Sequence, residues 1–257
     1  MPEKFRREGQ WHLLALYHFL RLSDFAREGI ERSGSYRFAD HLYRNKASGR
    51  GGTGRWLDRR MLNLPSARAM RRRYLKAKEE ITGALHSRED SLHLLAIPCG
   101  IPRDLSEVVA ALPKAAQRIR YTGMDLDPEV LAAARRHLGN LSLGSAEFIE
   151  GNALIATSYP DGRFDLVVST GLGEFLSDED LDRFYWNVFD ALEKGGTFFT
   201  SATAFEPRSD FLMKAFEMEA YYRGKDQIEA ILRTLPWEKI ELEVDESGLQ
   251  TFVRAVK

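Results

Sequence analysis

The sequence predicts an α/β protein: a mostly parallel seven-stranded sheet with helices on both faces, preceded by an N-terminal helical cap. Three observations carry this. From residue 91 on, short apolar runs alternate with stretches of helical period, the pattern of a parallel sheet with helical crossovers. Before residue 91 the apolar residues recur at helical spacing only. Charge divides at the same place. Residues 1–90 hold 20 Lys and Arg against 11 Asp and Glu, a net +9, and the remainder holds 17 against 27, a net −10. Such asymmetry points to two parts: a basic cap over residues 1–90 and an α/β domain over residues 91–257. Two halves that attract and pack together would explain it, and so would a basic half that holds an anionic ligand.

Leu13, Leu16, Tyr17, Leu20 and Phe25 suggest one amphipathic helix. Lys46–Gly54 is polar and Gly-rich, a flexible loop by composition. Met70, Tyr74, Ala77, Ile81 and Leu85 mark a second helix, with Asn63 or Ser66 as its cap and Arg68, Arg71, Arg72 and Arg73 on its other faces. The expected strands are Leu92–Ile97, Arg120–Met124, Glu147–Ile149, Phe164–Ser169, Thr197–Ser201, Trp237–Val244 and Leu249–Val256, the last two an antiparallel pair. The expected helices between them are Asp104–Leu112, Pro128–Leu138, Asp178–Leu192, Phe211–Met218 and Lys225–Leu232. Pro128 and Glu129 suit a first helical turn, and Lys194-Gly195-Gly196 suits a helix end.

Composition narrows the classes. The chain has 257 residues, 44% of them apolar, enough for a sizeable core. No apolar run approaches the ~20 residues of a membrane span. Trp11–Leu20 is apolar but short, and no small-residue cleavage site follows it. Cys99 is the only cysteine, so no intramolecular disulfide forms, and a cytoplasmic location is expected. No His/Cys/Asp cluster has metal-ligand spacing.

In an open parallel sheet, ligands bind where the carboxyl ends of the strands meet the loops. The first such loop is Pro98-Cys99-Gly100-Ile101-Pro102, where Gly100 lets backbone approach a ligand. Cys99 reads as a small packing residue there, not a nucleophile, because no His stands nearby in sequence. The second strand ends at Asp125, an acid able to accept hydrogen bonds from a ribose diol, next to Leu126. Asp127 reads as the cap of the helix begun by Pro128. The third ends at Asn152-Ala153, where Asn152 offers donor and acceptor to an adenine edge. The fourth ends at Ser169-Thr170-Gly171-Leu172-Gly173-Glu174, with Glu174 as a lone carboxylate and candidate general base.

Gly123–Leu138 resembles the second motif of class I S-adenosylmethionine-dependent methyltransferases. Phe148–Ala153 resembles their adenine loop with Asn152 in place of Asp, and Phe164–Leu176 with Leu192–Gly196 resembles their fourth-strand motif and the helix end after it. The first motif departs: Ala96 stands where the family carries an acid, and Pro98 and Pro102 replace glycines. The resemblance implies a Rossmann-like fold and S-adenosyl-L-methionine as cofactor. It places Cys99, Gly100, Asp125, Leu126, Asn152, Ala153, Thr170 and Gly171 around that cofactor, with another acid or an Arg from the N-terminal part replacing the missing one. Leu57–Asn63, Ala67–Arg71, Gly171–Leu176 and Tyr221-Tyr222-Arg223 are similar to segments of bacterial methyltransferases of 3-hydroxypalmitic acid methyl ester biosynthesis.

The expected function is methyl transfer to a small anionic acceptor, a carboxylate or hydroxyl compound, held by arginines near residues 55–73. His41, Tyr43, Arg72 and Tyr222 are the expected acceptor contacts. An RNA methyltransferase gripping phosphates through the basic part is the alternative. It is disfavoured by the absence of an Asn-Pro-Pro-Tyr-type segment and by the few aromatics among the basic residues. A non-catalytic ligand-binding protein is the third reading. A nicotinamide dehydrogenase is disfavoured because no Gly-x-Gly-x-x-Gly follows the first strand.

Overall fold

The computed structural model describes residues 6–7, 9, 11–32, 35–207, 210, 214 and 220–257. The helix expected over Phe211–Met218 lies outside the described residues, apart from Lys214. The chain forms two compact units. One contains the described residues through Arg71, and the other those from Arg72 to Asp210 and from Ala220 on.

The first unit is helical: α1 (Trp11–Leu20), α2 (Asp24–Glu31), α3 (Tyr36–Arg44), α4 (Gly51–Leu62) and the start of α5 (Pro65–His86). Two expectations fail here. The first amphipathic stretch is two helices, because Ser23 stops one and caps the next, its hydroxyl accepting from Ala26 N–H. The Gly-rich segment does not stay a loop, for α4 starts within it at Gly51. Gly49 and Gly54 are there for close approach: a Cβ on Gly54 would sit 2.2 Å from the Leu22 carbonyl oxygen. Asp58, fully buried, organises the same region. Its carboxylate accepts from the Ser48 and Gly49 N–H groups (2.8 Å each), from Phe25 N–H (3.3 Å) and from the Ser23 hydroxyl. Burial alone would raise this carboxyl, but those hydrogen bonds outweigh it and hold it below its ordinary value. Phe25, Leu42, Leu57, Met61 and Leu62 pack the core. α5 takes neither expected cap: Pro65 fills its first position, and the Leu64 carbonyl accepts from Arg68 N–H.

The second unit is built on β1 (Leu92–Ala96), β2 (Ile119–Asp125), β3 (Ser145–Glu150), β4 (Phe164–Ser169), β5 (Leu192–Thr203), β6 (Lys239–Val244) and β7 (Gln250–Val256). Their order across the sheet is β3-β2-β1-β4-β5-β7-β6, parallel except for β7, which is antiparallel to both its neighbours. Helices cover both faces. On one lie α9 (Asp178–Ala191) and α10 (Lys225–Leu232), packing Leu181, Phe184, Val188, Ile228 and Leu232 onto Leu95, Val167 and Phe198. On the other, α5 and α6 (Arg103–Ala111) pack Ala77, Ile81, Leu85, Leu105 and Val108 onto Leu94, Leu166 and Phe199. A fully buried Ile or Leu contributes about 1.5–3 kcal/mol, so Ile81 and Leu85 alone anchor the α5 face. α7 (Pro113–Ala116) and α8 (Pro128–Leu138) complete the crossovers, and Asp127 caps α8 by accepting from Glu129 N–H. α9 ends at Ala191, and the chain passes straight into β5, so the expected helix end at Gly195-Gly196 is a bend inside a strand. Gly195 takes φ +78° there, and its N–H reaches the Lys257 carbonyl. Parallel β1 and β4, central in the sheet, set their carboxyl-end loops side by side, where ligands of such sheets bind.

Candidate cofactor and methyl-transfer site

The loop after β1 is pinned on both sides. Ile97 N–H donates to the Val168 carbonyl of β4, and Cys99 N–H to the Met124 carbonyl of β2. This leaves Gly100 at the mouth of the sheet with φ +49° and open space where a Cβ would stand. Gly123 is bare for the opposite reason, since a Cβ there would lie 3.0 Å from the Tyr121 hydroxyl and 3.1 Å from Cys99 Cβ. Cys99 is buried, and burial pushes its thiol up to about 12, which makes it a packing group. Asp125 faces the same loop: Oδ2 accepts from Gly100 N–H and Oδ1 from Asp127 N–H, both at 3.2 Å. Burial raises its carboxyl above the ordinary value in spite of these bonds. Leu126 beside it is 66% exposed, an apolar surface at the site's edge.

The adenine-loop residues are locally fixed. Asn152 Oδ1 accepts from Leu154 N–H (2.9 Å), which turns the chain after β3. The Ala153 carbonyl receives both the Tyr159 hydroxyl and the Asn187 amide at 3.0 Å. Its oxygen is thereby tied inward.

At the end of β4, Thr170 and Gly171 lead into a 3₁₀ turn, Gly173–Phe175, that carries Glu174. Here the structure adds a residue the sequence did not reveal. Arg73, expected on an outer face of α5, is only 4% exposed and pairs with Glu174, Nη1 to Oε1 at 2.5 Å. Thr203 Oγ1 donates to the same oxygen at 2.7 Å. Gly171 makes room for the guanidinium: at φ +92°, a Cβ would stand 2.8 Å from Arg73 Nη2. A second buried arginine, Arg223, holds the turn from below. It donates to the Gly173 carbonyl (2.8 Å) and the Leu176 carbonyl (2.7 Å) and pairs with Asp178. Only the Tyr221-Tyr222-Arg223 segment had drawn attention to it.

Of the expected acceptor contacts, Arg72 and Tyr222 lie in the second unit and His41 and Tyr43 in the first. Arg72 is half exposed and pairs with Glu246 in the β6–β7 turn, so Arg73 and not Arg72 reaches the β4 loop. Tyr222 stacks edge-on against Phe205, and burial together with Asp210 pushes its hydroxyl up to about 12. His41 and Tyr43 lie on α3 in the first unit, His41 against the Phe25 ring and Tyr43 against the core cluster.

A sheet of this order, with polar and glycine-bearing loops after β1, β2, β3 and β4, has the methyltransferase fold. Residues 95–196 match the methyltransferase domain family, and the sheet that contains them has the Rossmann-like methyltransferase fold. Over 84 residues the chain is 36% identical to ribosomal protein L11 methyltransferase of Clostridium botulinum, covering 33% of this chain. It spans about a quarter of the length of the curated relatives it matches (24%). Among solved structures, a protein of Bordetella parapertussis described as a possible exported protein aligns with a TM-score of 0.80 at 22% identity, over 95% of this chain and 86% of that one. Magnesium protoporphyrin IX methyltransferase from Synechocystis PCC 6803, with S-adenosylhomocysteine bound, aligns with a TM-score of 0.54 at 13% identity, over 85% of this chain and 93% of that one. Among the described residues, no helix is long and apolar enough to cross a membrane, and no group of three or more His, Cys, Asp or Glu could hold a metal ion.

Proposed function

We propose that this chain transfers a methyl group from S-adenosyl-L-methionine to a small acceptor through the acceptor's carboxylate. When bound, the cofactor supplies a methyl group activated by its sulfonium. The residues present suit it. Gly100 leaves open space beside its backbone, and Asp125 has lone pairs left for ribose hydroxyls after its two N–H bonds. Asn152 and the Ala153 N–H would meet the adenine edge, with Leu126 against its face and Thr170 and Gly171 lining the far end. Their work is alignment and exclusion of water, which an in-line displacement chiefly needs.

The observation that carries the acceptor class is the Arg73–Glu174 pair. If Glu174 took a proton from an acceptor, the buried Arg73 guanidinium would lose the charge of its paired carboxylate, at a cost of about 3–5 kcal/mol. Glu174 therefore suits a holding role better than the base role read from the sequence. Without a poised base there, an acceptor already ionised is favoured over a hydroxyl or amine. The resemblance to methyl ester-forming enzymes supports the same class. The arginine run also offers less to nucleic acid than its count suggests: Arg71 donates to the Leu62 carbonyl, and Arg72 and Arg73 are paired.

The test is transfer of radiolabelled methyl to a panel of small acids, their alcohol counterparts and total RNA. Label should enter acids as esters that mild alkali releases as methanol. Alkali-stable label, or label in RNA with steeply salt-dependent binding, would overturn the carboxylate reading. Residues 1–90 enter the proposal as a cap needed for turnover, so a chain of residues 88–257 should be poorly soluble or unable to turn over, and one that folds cooperatively and methylates normally would refute the cap. A cytoplasmic location, proposed from the single cysteine, is checked by cell fractionation.

A further inference from the structure

The carboxylates near the first loop are committed to local tasks. Asp104 Oδ1 accepts from Leu105 N–H at 2.8 Å, Asp127 caps α8, and Asp125 receives two backbone N–H groups. Glu174 differs. Its Oε1 takes both Arg73 and Thr203, whereas its Oε2 is buried with no hydrogen-bond partner among the described residues. A buried carboxylate oxygen without a partner is rare and calls for a ligand or a water. It stands just past the end of β4, and β4 neighbours β1, whose following loop has Ala96, Ile97 and Pro98 where an acid would serve a cationic ligand group.

We infer that Glu174 Oε2 receives the α-ammonium group of the donor's methionine moiety, replacing the acid that the β1 loop lacks. The inference rests on the donor-site reading above. Arg73 is the positioning residue. It holds Oε1 together with Thr203, itself held by Gln250 Nε2 at 2.8 Å, which leaves Oε2 as the unpaired oxygen. Two tied lone pairs on one oxygen and a free second oxygen suit a cation with several N–H donors better than a neutral hydroxyl.

Calorimetry with three ligands tests this: S-adenosylhomocysteine, its analogue lacking the α-amino group, and methylthioadenosine, which lacks the whole amino-acid part. The unaltered protein should bind the deaminated analogue about 10–100-fold more weakly than S-adenosylhomocysteine, the scale of one charged hydrogen bond. Glu174→Gln should bind S-adenosylhomocysteine no better than the deaminated analogue and should bind methylthioadenosine as the unaltered protein does. If Glu174→Gln still discriminates between the first two ligands, or loses methylthioadenosine equally, the inference is wrong. If the unaltered protein binds none of the three, the donor-site reading itself fails. Glu174→Asp keeps the charge facing Arg73 but withdraws the oxygen by one methylene. It carries the same prediction if the Gln variant does not fold.

Discussion

Arg223→Ala is the substitution whose consequence the structure specifies most fully. The guanidinium is buried and makes two charge-assisted bonds to main-chain carbonyls, Gly173 at 2.8 Å and Leu176 at 2.7 Å. Each is worth about 1.5–3 kcal/mol. Its partner Asp178 is 79% exposed, so that ion pair adds no more than about 1 kcal/mol. Water can reach the Gly173 carbonyl once the side chain is gone, which recovers part of the loss. The net destabilisation is then about 3–5 kcal/mol. The local effect is larger in kind, because the two carbonyls bracket Glu174 and the turn loses its support. Urea denaturation followed by circular dichroism measures the first effect, and calorimetry with S-adenosylhomocysteine the second, with affinity expected to fall at least about tenfold. Arg223→Lys keeps the charge but reaches fewer acceptors at once and should fall between. An Arg223→Ala protein with the parental urea midpoint and parental affinity would refute the view that this arginine holds the β4 turn.

Asp125→Ala should weaken S-adenosylhomocysteine binding by about 1–3 kcal/mol, as read by calorimetry, since it removes the proposed ribose acceptor. Asp58→Ala should cost about 3–5 kcal/mol and speed amide exchange at Ser48 and Gly49, whose N–H groups lose their acceptor. The Asp58 carboxyl is held below its ordinary value of 3.8, so its stabilisation is present above that pH and is lost as pH falls through the lower folded value. Acid titration should therefore unfold the native protein below about pH 4 and show a smaller slope for Asp58→Ala. Cys99, with its thiol pushed up to about 12, should react with a disulfide reagent at pH 8 roughly a thousandfold more slowly than the urea-unfolded chain.

The sheet was legible because buried strands write themselves as short apolar runs. Leu92–Ile97 and Phe164–Ser169 were placed within a residue of β1 and β4 on that signal alone. The strand ends followed, and with them Asp125, Asn152 and Glu174. Arg73 was not legible: one arginine in a run of three on an amphipathic helix looks like solvent-facing charge, and its partner lies 101 residues away. The helical start of α4 was hidden by glycines, whose low helix propensity is overridden by the close approach of Leu22 and by the Asp58 hydrogen bonds. Ser23, which caps α2 through its bond to Ala26 and precedes Asp24, was masked because the apolar period from Leu20 to Phe25 runs across it.

The place of β7 governs the order in which the sheet can assemble. During vectorial synthesis β5 emerges with Phe198 and Phe199 along it, and β6 follows some forty residues later, yet neither pairs with the other. Both wait for Gln250–Val256 to enter between them. Until then the nascent chain shows the ribosome's surroundings a row of unpaired main-chain groups on β5 and a β6 with no partner strand, a state prone to intermolecular strand pairing. A message truncated before residue 250 would fix the chain in that state, so its product should be found with chaperones or in inclusion bodies.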